Sequence, residues 1–132
     1  MSNYLVTTHH AVALWRNHPS LVARVAAAQD AALYLCQPVI GEMWYRIYNM
    51  PDREVSEKML EEFITRFPMA EYDGAAAKEF GLIKNAMTKI RRPISDVDAQ
   101  VASIARTREM TVLSADQHFS AIPRLKVENW LL

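Results

Sequence analysis

The sequence predicts an α/β fold with a central, mostly parallel sheet flanked by helices on both faces. Short apolar runs recur along the chain, and stretches of helical spacing lie between them. Only three glycines are present, and no two-residue hairpin signal joins one run to the next. A strand followed by a helix or helix pair, repeated, is the pattern of parallel strands joined by covered crossovers.

The strands are expected at Tyr4 to Val6, Leu33 to Cys36, Met69 to Tyr72 and Thr111 to Ser114. Trp44, Tyr45 and Tyr48 with Met43, Ile47 and Met50 make the helix after the second run apolar almost all round, so part of it is available as an interface or is absorbed by core packing. In the next helix Val55, Met59, Leu60, Phe63, Ile64 and Phe67 share one face, and Glu54, Glu57, Lys58, Glu61 and Glu62 the other. Asp52 is expected to cap that helix, and Asp73 to cap a helix from Ala75 to Ile90. Ser95-Asp96-Val97-Asp98 opens the last long helix and fits a capping box, with Ser95 as cap and Asp98 reaching back.

A chain of 132 residues, 51% hydrophobic, is enough for one domain spanning 1–132 with a real core. Lys and Arg balance Asp and Glu at 15 each, which excludes a general basic coat for nucleic acid, so any RNA contact is local or made through a metal. The lone Cys36 excludes an internal disulfide, and no Cys/His ladder suggests zinc. No run approaches the roughly 18 apolar residues of a membrane span. A reducing cytoplasm is the expected location.

In an open parallel sheet the ligand site lies beyond the carboxyl ends of the strands. Thr7 ends the first run, Glu42 follows the second, Asp98 opens a helix and Asp116 follows the last run, so these positions can meet. Asp30, Asp52, Asp73, Glu109 and Glu128 fall at caps, surfaces or the far ends of connections. Carboxylates gathered without a compensating cation repel one another, and a divalent ion relieves this. Oxygen ligands alone select a hard ion, Mg²⁺ or Mn²⁺, which activates water and steadies charge on a phosphate. Each acid also has a structural account: Asp98 in the capping box, Asp116 as a turn residue, and Glu42 as a first-turn acid favoured by the helix dipole.

Taken together, Gly41-Glu42-Met43-Trp44-Tyr45, Pro93-Ile94-Ser95-Asp96-Val97-Asp98 and Val112-Leu113-Ser114-Ala115-Asp116 with Phe119, Ile122-Pro123-Arg124-Leu125 and Asn129-Trp130 resemble the PIN-domain ribonucleases, most closely toxins of the VapC type. The resemblance runs from Tyr4 to Trp130. It implies a metal-dependent endoribonuclease that cleaves RNA phosphodiester bonds, with Glu42, Asp98 and Asp116 as the catalytic and metal-site acids. Asp96 would assist electrostatically, Ser114 would match a hydroxyl that orders the site, and Thr8 the threonine of the opening motif. It further implies a homodimer held inactive by a small VapB-like antitoxin laid over the groove.

The family's opening strand ends in Leu-Asp-Thr-Asn, whereas Leu5-Val6-Thr7-Thr8-His9 has threonine at the Asp position. One charge and one direct ligand are lost, so weakened or lost activity is expected. The alternative is a catalytically silent PIN domain that binds an antitoxin or RNA. His9 is a poor substitute ligand, because imidazole suits softer ions. His10, His18 and His118 are expected as exposed polar residues. Arg46 stands where the family often has glycine, narrowing the cleft or adding a phosphate contact. Arg91 and Arg92, with Lys84 and Lys89, form a basic segment able to hold an RNA backbone, or a solvated helix end. A phospho-acceptor domain would need a Lys at a late strand end, and Thr111 to Ser114 has none; GxGxxG and P-loop motifs are absent as well.

Overall fold

Strand β1 (Ser2–Val6) occupies an interior position of the sheet in the computed structural model, which describes residues 2–132. Its neighbours are β2 (Ala31–Tyr34) and β3 (Thr111–Leu113), and β4 (Val127–Glu128) lies beyond β3, giving the order β2-β1-β3-β4. All three pairings are parallel, with Leu5 opposite Tyr34 on one side and Val112 on the other. Successive strand residues point to opposite faces, yet Leu5, Val6, Val112 and Leu113 are all fully buried. Both faces are therefore covered, as parallel strands require.

The covering helices are α1 (Thr8–Trp15), α2 (Pro19–Ala27), α3 (Gln37–Ile47), α4 (Arg53–Ile64), α5 (Gly74–Lys89) and α6 (Asp96–Arg108). A positive φ at Asn17, followed by Pro19 at the start of α2, separates the first two. Helix α3 also takes a proline in its first turn, where the missing N–H costs no hydrogen bond. Asp73 caps α5 by accepting from the Ala76 amide at 3.0 Å. Helix α6 is buried from Val101 to Ala105, and its alanines let the neighbouring elements approach closely. It stops in a left-handed turn at Glu109, with the Met110 amide donating to the Ala105 carbonyl at 2.9 Å. Among the described residues no helix is long and apolar enough to cross a membrane.

Several boundaries differ from expectation. Met69 to Tyr72 does not form a strand: Met69 makes one parallel bridge with Leu35, and Glu71, Tyr72 and Asp73 are exposed. Pro68 contributes only its carbonyl, which accepts from the Leu35 amide at 3.0 Å. The fourth strand is instead Val127–Glu128, a two-residue edge between Lys126 and Asn129 whose polar context hides it in the sequence. The second strand starts and stops two residues early, leaving Cys36 to precede α3 as its N-cap residue. Asp52 occupies the N-cap position of α4, but its side chain makes no capping bond. The capping box at α6 is half formed, with the Ser95 hydroxyl accepting from the Asp98 amide at 3.1 Å and no return bond from Asp98.

Candidate functional site

Where β1 runs into α1, the Thr7 hydroxyl donates to the Leu113 carbonyl at 2.6 Å, and the Thr7 amide donates to the same oxygen at 3.2 Å. This buried residue thus ties β1 to β3 at their carboxyl ends. The next residue, Thr8, donates its hydroxyl to the Glu42 carboxylate, which joins the first turn of α1 to α3 and fixes the orientation of a half-buried acid. Asp98 projects from the first turn of α6 and is also half-buried. Asp116 follows β3 and opens a 3₁₀ turn, Gln117–Ala121. Its amide donates to the buried Ser114 hydroxyl at 2.9 Å, and its carboxylate accepts from the His118 amide at 2.9 Å. The His118 ring nitrogen Nδ1 lies 2.9 Å from the same carboxylate.

These elements close around a cleft of about 390 Å³ lined by Thr7, Thr8, Glu42, Asp98, Ser114 and Asp116. His9, Tyr45, Arg46, Ser95 and Phe119 complete the wall with Ala115. Burial holds the Asp98 carboxyl above its ordinary pKa, and the Asp116 and Glu42 charges raise it further. The Ser95 hydroxyl and His118 act in the opposite sense. The three acids therefore share one electrostatic environment.

The acids and hydroxyls of the cleft supply oxygen donors, which suit a hard divalent cation, while the His9 imidazole on its wall suits softer ions. Among the described residues no three His, Cys, Asp or Glu side chains stand close enough to enclose an ion alone. Mg²⁺ commonly takes one or two carboxylates and keeps several waters, so the residues present fit such an ion with water completing its shell. Thr7 brings a neutral oxygen whose proton is committed to Leu113.

Other nominated residues stand elsewhere. Asp96 is turned out to solvent and pairs with Lys84 at 2.9 Å, because the two face each other across α5 and α6. Arg91 takes a left-handed conformation in the exposed turn after α5, outside the cleft. Arg92 lines a separate groove of about 770 Å³ together with His118. Arg46 does line the acid cleft. His10 corrects the expectation of an exposed histidine: it is fully buried, and its Nε2 accepts from the Trp130 amide at 3.0 Å. His18 is half-buried. Tyr45 was not singled out for the cleft, although its place three residues after Glu42 on one helix puts both on one face.

A family model described as PIN domain matches residues 4–125. The tRNA(fMet)-specific endonuclease VapC of Shigella flexneri is 23% identical, over 98% of this chain and 99% of the relative. Ribonuclease VapC2 of Haemophilus influenzae is 21% identical, over 99% of this chain and all (100%) of the relative. Among solved structures, VapBC2 from Rickettsia felis bound to a DNA fragment from its promoter matches with a TM-score of 0.88 and 21% identity, covering 97% of this chain and 98% of that one. DNA-bound VapBC from Salmonella typhimurium matches with a TM-score of 0.88 and 22% identity, covering 98% and 99%. At this identity the structural likeness establishes the fold.

Proposed function

This chain belongs to the PIN-domain family, and we propose that it is a VapC-like toxin whose cleft is built to cleave RNA phosphodiester bonds with Mg²⁺ or Mn²⁺. The observation that carries this is the meeting of Glu42, Asp98 and Asp116 in one cleft at the carboxyl ends of β1 and β3. Relatives of nearly equal length that are named ribonucleases support it.

In this mechanism the Asp98 and Asp116 carboxylates would hold the cation. When bound, the cation supplies positive charge to the phosphate and acidity to water. Glu42, oriented by Thr8, would bind alongside them or accept the proton of the water that attacks phosphorus in line, as the P–O bond to the departing ribose oxygen breaks on the opposite side. Ser114 keeps the Asp116 backbone in place. Thr7 adds no charge, so the cation would be held by fewer acids and cleavage would be slow or lost.

The commitment of the Thr7 hydroxyl to Leu113 favours a second assignment, a catalytically silent domain that binds an antitoxin or RNA. Under either assignment the partner is a small VapB-like antitoxin, as in the VapBC complexes of like fold, and the setting is cytoplasmic. Exposed Tyr45 on α3, Tyr48 just after it, and Val55 and Met59 on α4 offer apolar surface for that partner or for a second copy in a homodimer. The test is incubation of labelled total tRNA and rRNA with the protein and Mn²⁺, beside Asp98→Asn. Cleavage confined to the parent supports the nuclease; equal cleavage by both would reject the assignment of Asp98.

A further inference from the structure

Beside the acid cleft a second depression of about 280 Å³ runs between α1 and α3. Its floor is apolar, made by Val12, Trp15, Met43 and Met50. Its rim carries Arg16, Asn49, Tyr45 and Arg46, and the last two also line the acid cleft, so the two depressions adjoin across these side chains. Neither Arg16 nor Arg46 takes part in an ion pair among the described residues. Tyr45 is 73% exposed, which leaves its ring free to cover a flat ligand. The Asn49 side-chain nitrogen Nδ2 donates to the Tyr45 carbonyl at 3.0 Å, and its side-chain oxygen takes no protein donor among the described residues.

We infer that this groove is a nucleotide site: one unpaired base of a single-stranded RNA lies on the Trp15 and Met43 floor under Tyr45, while Arg16 and Arg46 hold its phosphates and direct the chain into the acid cleft. The inference rests on the nuclease assignment of that cleft and names how its substrate is gripped. Apolar and aromatic walls suit the faces of a base, and unstacked bases are what such walls recognise in RNA. Two exposed guanidiniums without an acid partner at the rim of an apolar groove favour an anionic ligand, and the phosphates on either side of a nucleotide supply that charge. The Asn49 oxygen is placed to accept from an exocyclic amine. A base held in a duplex cannot enter, so the site selects unpaired segments. Arg46 and Glu42 sit one helical turn apart on α3, so a phosphate bound by Arg46 lies next to the acids.

The test uses the full chain with a fluorescein-labelled eight-nucleotide single-stranded RNA, followed by anisotropy, beside an RNA duplex of equal length. Tyr45 and Arg16 are exposed, so Tyr45→Ala and Arg16→Ala leave the core intact. Tyr45→Ala is expected to weaken single-stranded binding about tenfold and to leave duplex binding unchanged. Arg16→Ala is expected to lower the salt dependence of single-stranded binding. A 4-thiouridine version of the RNA should crosslink to Trp15 or Tyr45. Parent-like affinity in Tyr45→Ala, with crosslinks outside the groove, would overturn the nucleotide site while Asp98-dependent cleavage still upheld the nuclease. Groove crosslinks without any Asp98-dependent cleavage in a Thr7→Asp background would keep the site and reject the nuclease. Unchanged RNA affinity together with weakened binding of a VapB-type peptide would assign the groove to protein docking and overturn the inference.

Discussion

The Thr7 hydroxyl and the Leu113 carbonyl are joined at 2.6 Å, and the same oxygen receives the Thr7 amide. The residue that lines the acid cleft is thus also a tie between β1 and β3. Aspartate in its place has no hydroxyl proton to give, and its carboxylate turns to the cleft. Thr7→Asp should lower stability in urea by about 1 kcal/mol and raise Mn²⁺ affinity in calorimetry. Equal Mn²⁺ affinity in parent and variant would show that position 7 is not part of the site.

Thr8 holds Glu42 by a hydrogen bond from α1 to α3. Thr8→Val keeps the shape and removes the donor, so Glu42 loses its fixed orientation at a cost of about 1–2 kcal/mol in stability. Cleavage by an active background should fall about tenfold, corresponding to about 1.4 kcal/mol added to the barrier by a misoriented Glu42, and Thr8→Ser should restore it. Parent-like rates in Thr8→Val would mean that Glu42 needs no orienting partner.

Away from the cleft, Arg106 on α6 donates Nε and Nη2 to one Glu79 oxygen on α5 at 2.9 and 2.6 Å, and Nη1 to the Pro123 carbonyl at 3.2 Å. The Arg106 side chain is only 9% exposed. Arg106→Ala strands a half-buried carboxylate and should cost about 3 kcal/mol, read as a lower urea midpoint. Mn²⁺ affinity of the folded variant should match the parent; a change there would mean that the α5–α6 junction controls the cleft.

His10 predicts a pH dependence. Burial, with the nearby His9 and His18 adding to it, lowers its pKa from 6.5 to about 4. Its Nε2 must stay unprotonated to accept from Trp130. Because the unfolded chain takes up this proton first, the contribution is whole above 6.5, declines as pH falls, and is lost by about 4. The loss over that window is about 3 kcal/mol. His10→Gln does not titrate, so its stability should fall less between pH 6.5 and 4 than the parent's. Parallel curves would show that His10 titrates alike in both states.

The acids of the cleft were legible because strand ends and helix starts are written in local signals: an apolar run, then Thr7; Pro-Ile-Ser before Asp98; Leu113-Ser114 before Asp116. What escaped depends on distant neighbours. Val127–Glu128 is a strand only because β3 lies beside it, and Met69 fails as a strand because it finds one partner residue. His10 looks like a surface residue until the C-terminal segment is seen to cross it at Trp130. Asp96 and Asp98 are near neighbours in sequence, yet Lys84 on α5 draws the first outward while the second faces the cleft.

The central claim, a nuclease cleft weakened at one position, is tested most directly by cleavage of labelled tRNA and rRNA in Mn²⁺ by Thr7→Asp and by Thr7→Asp/Asp98→Asn. Cutting by the first that is abolished in the second, with the parent slower than the first, is the expected result. No cutting by Thr7→Asp while it remains folded, or equal cutting with and without Asp98, would contradict it.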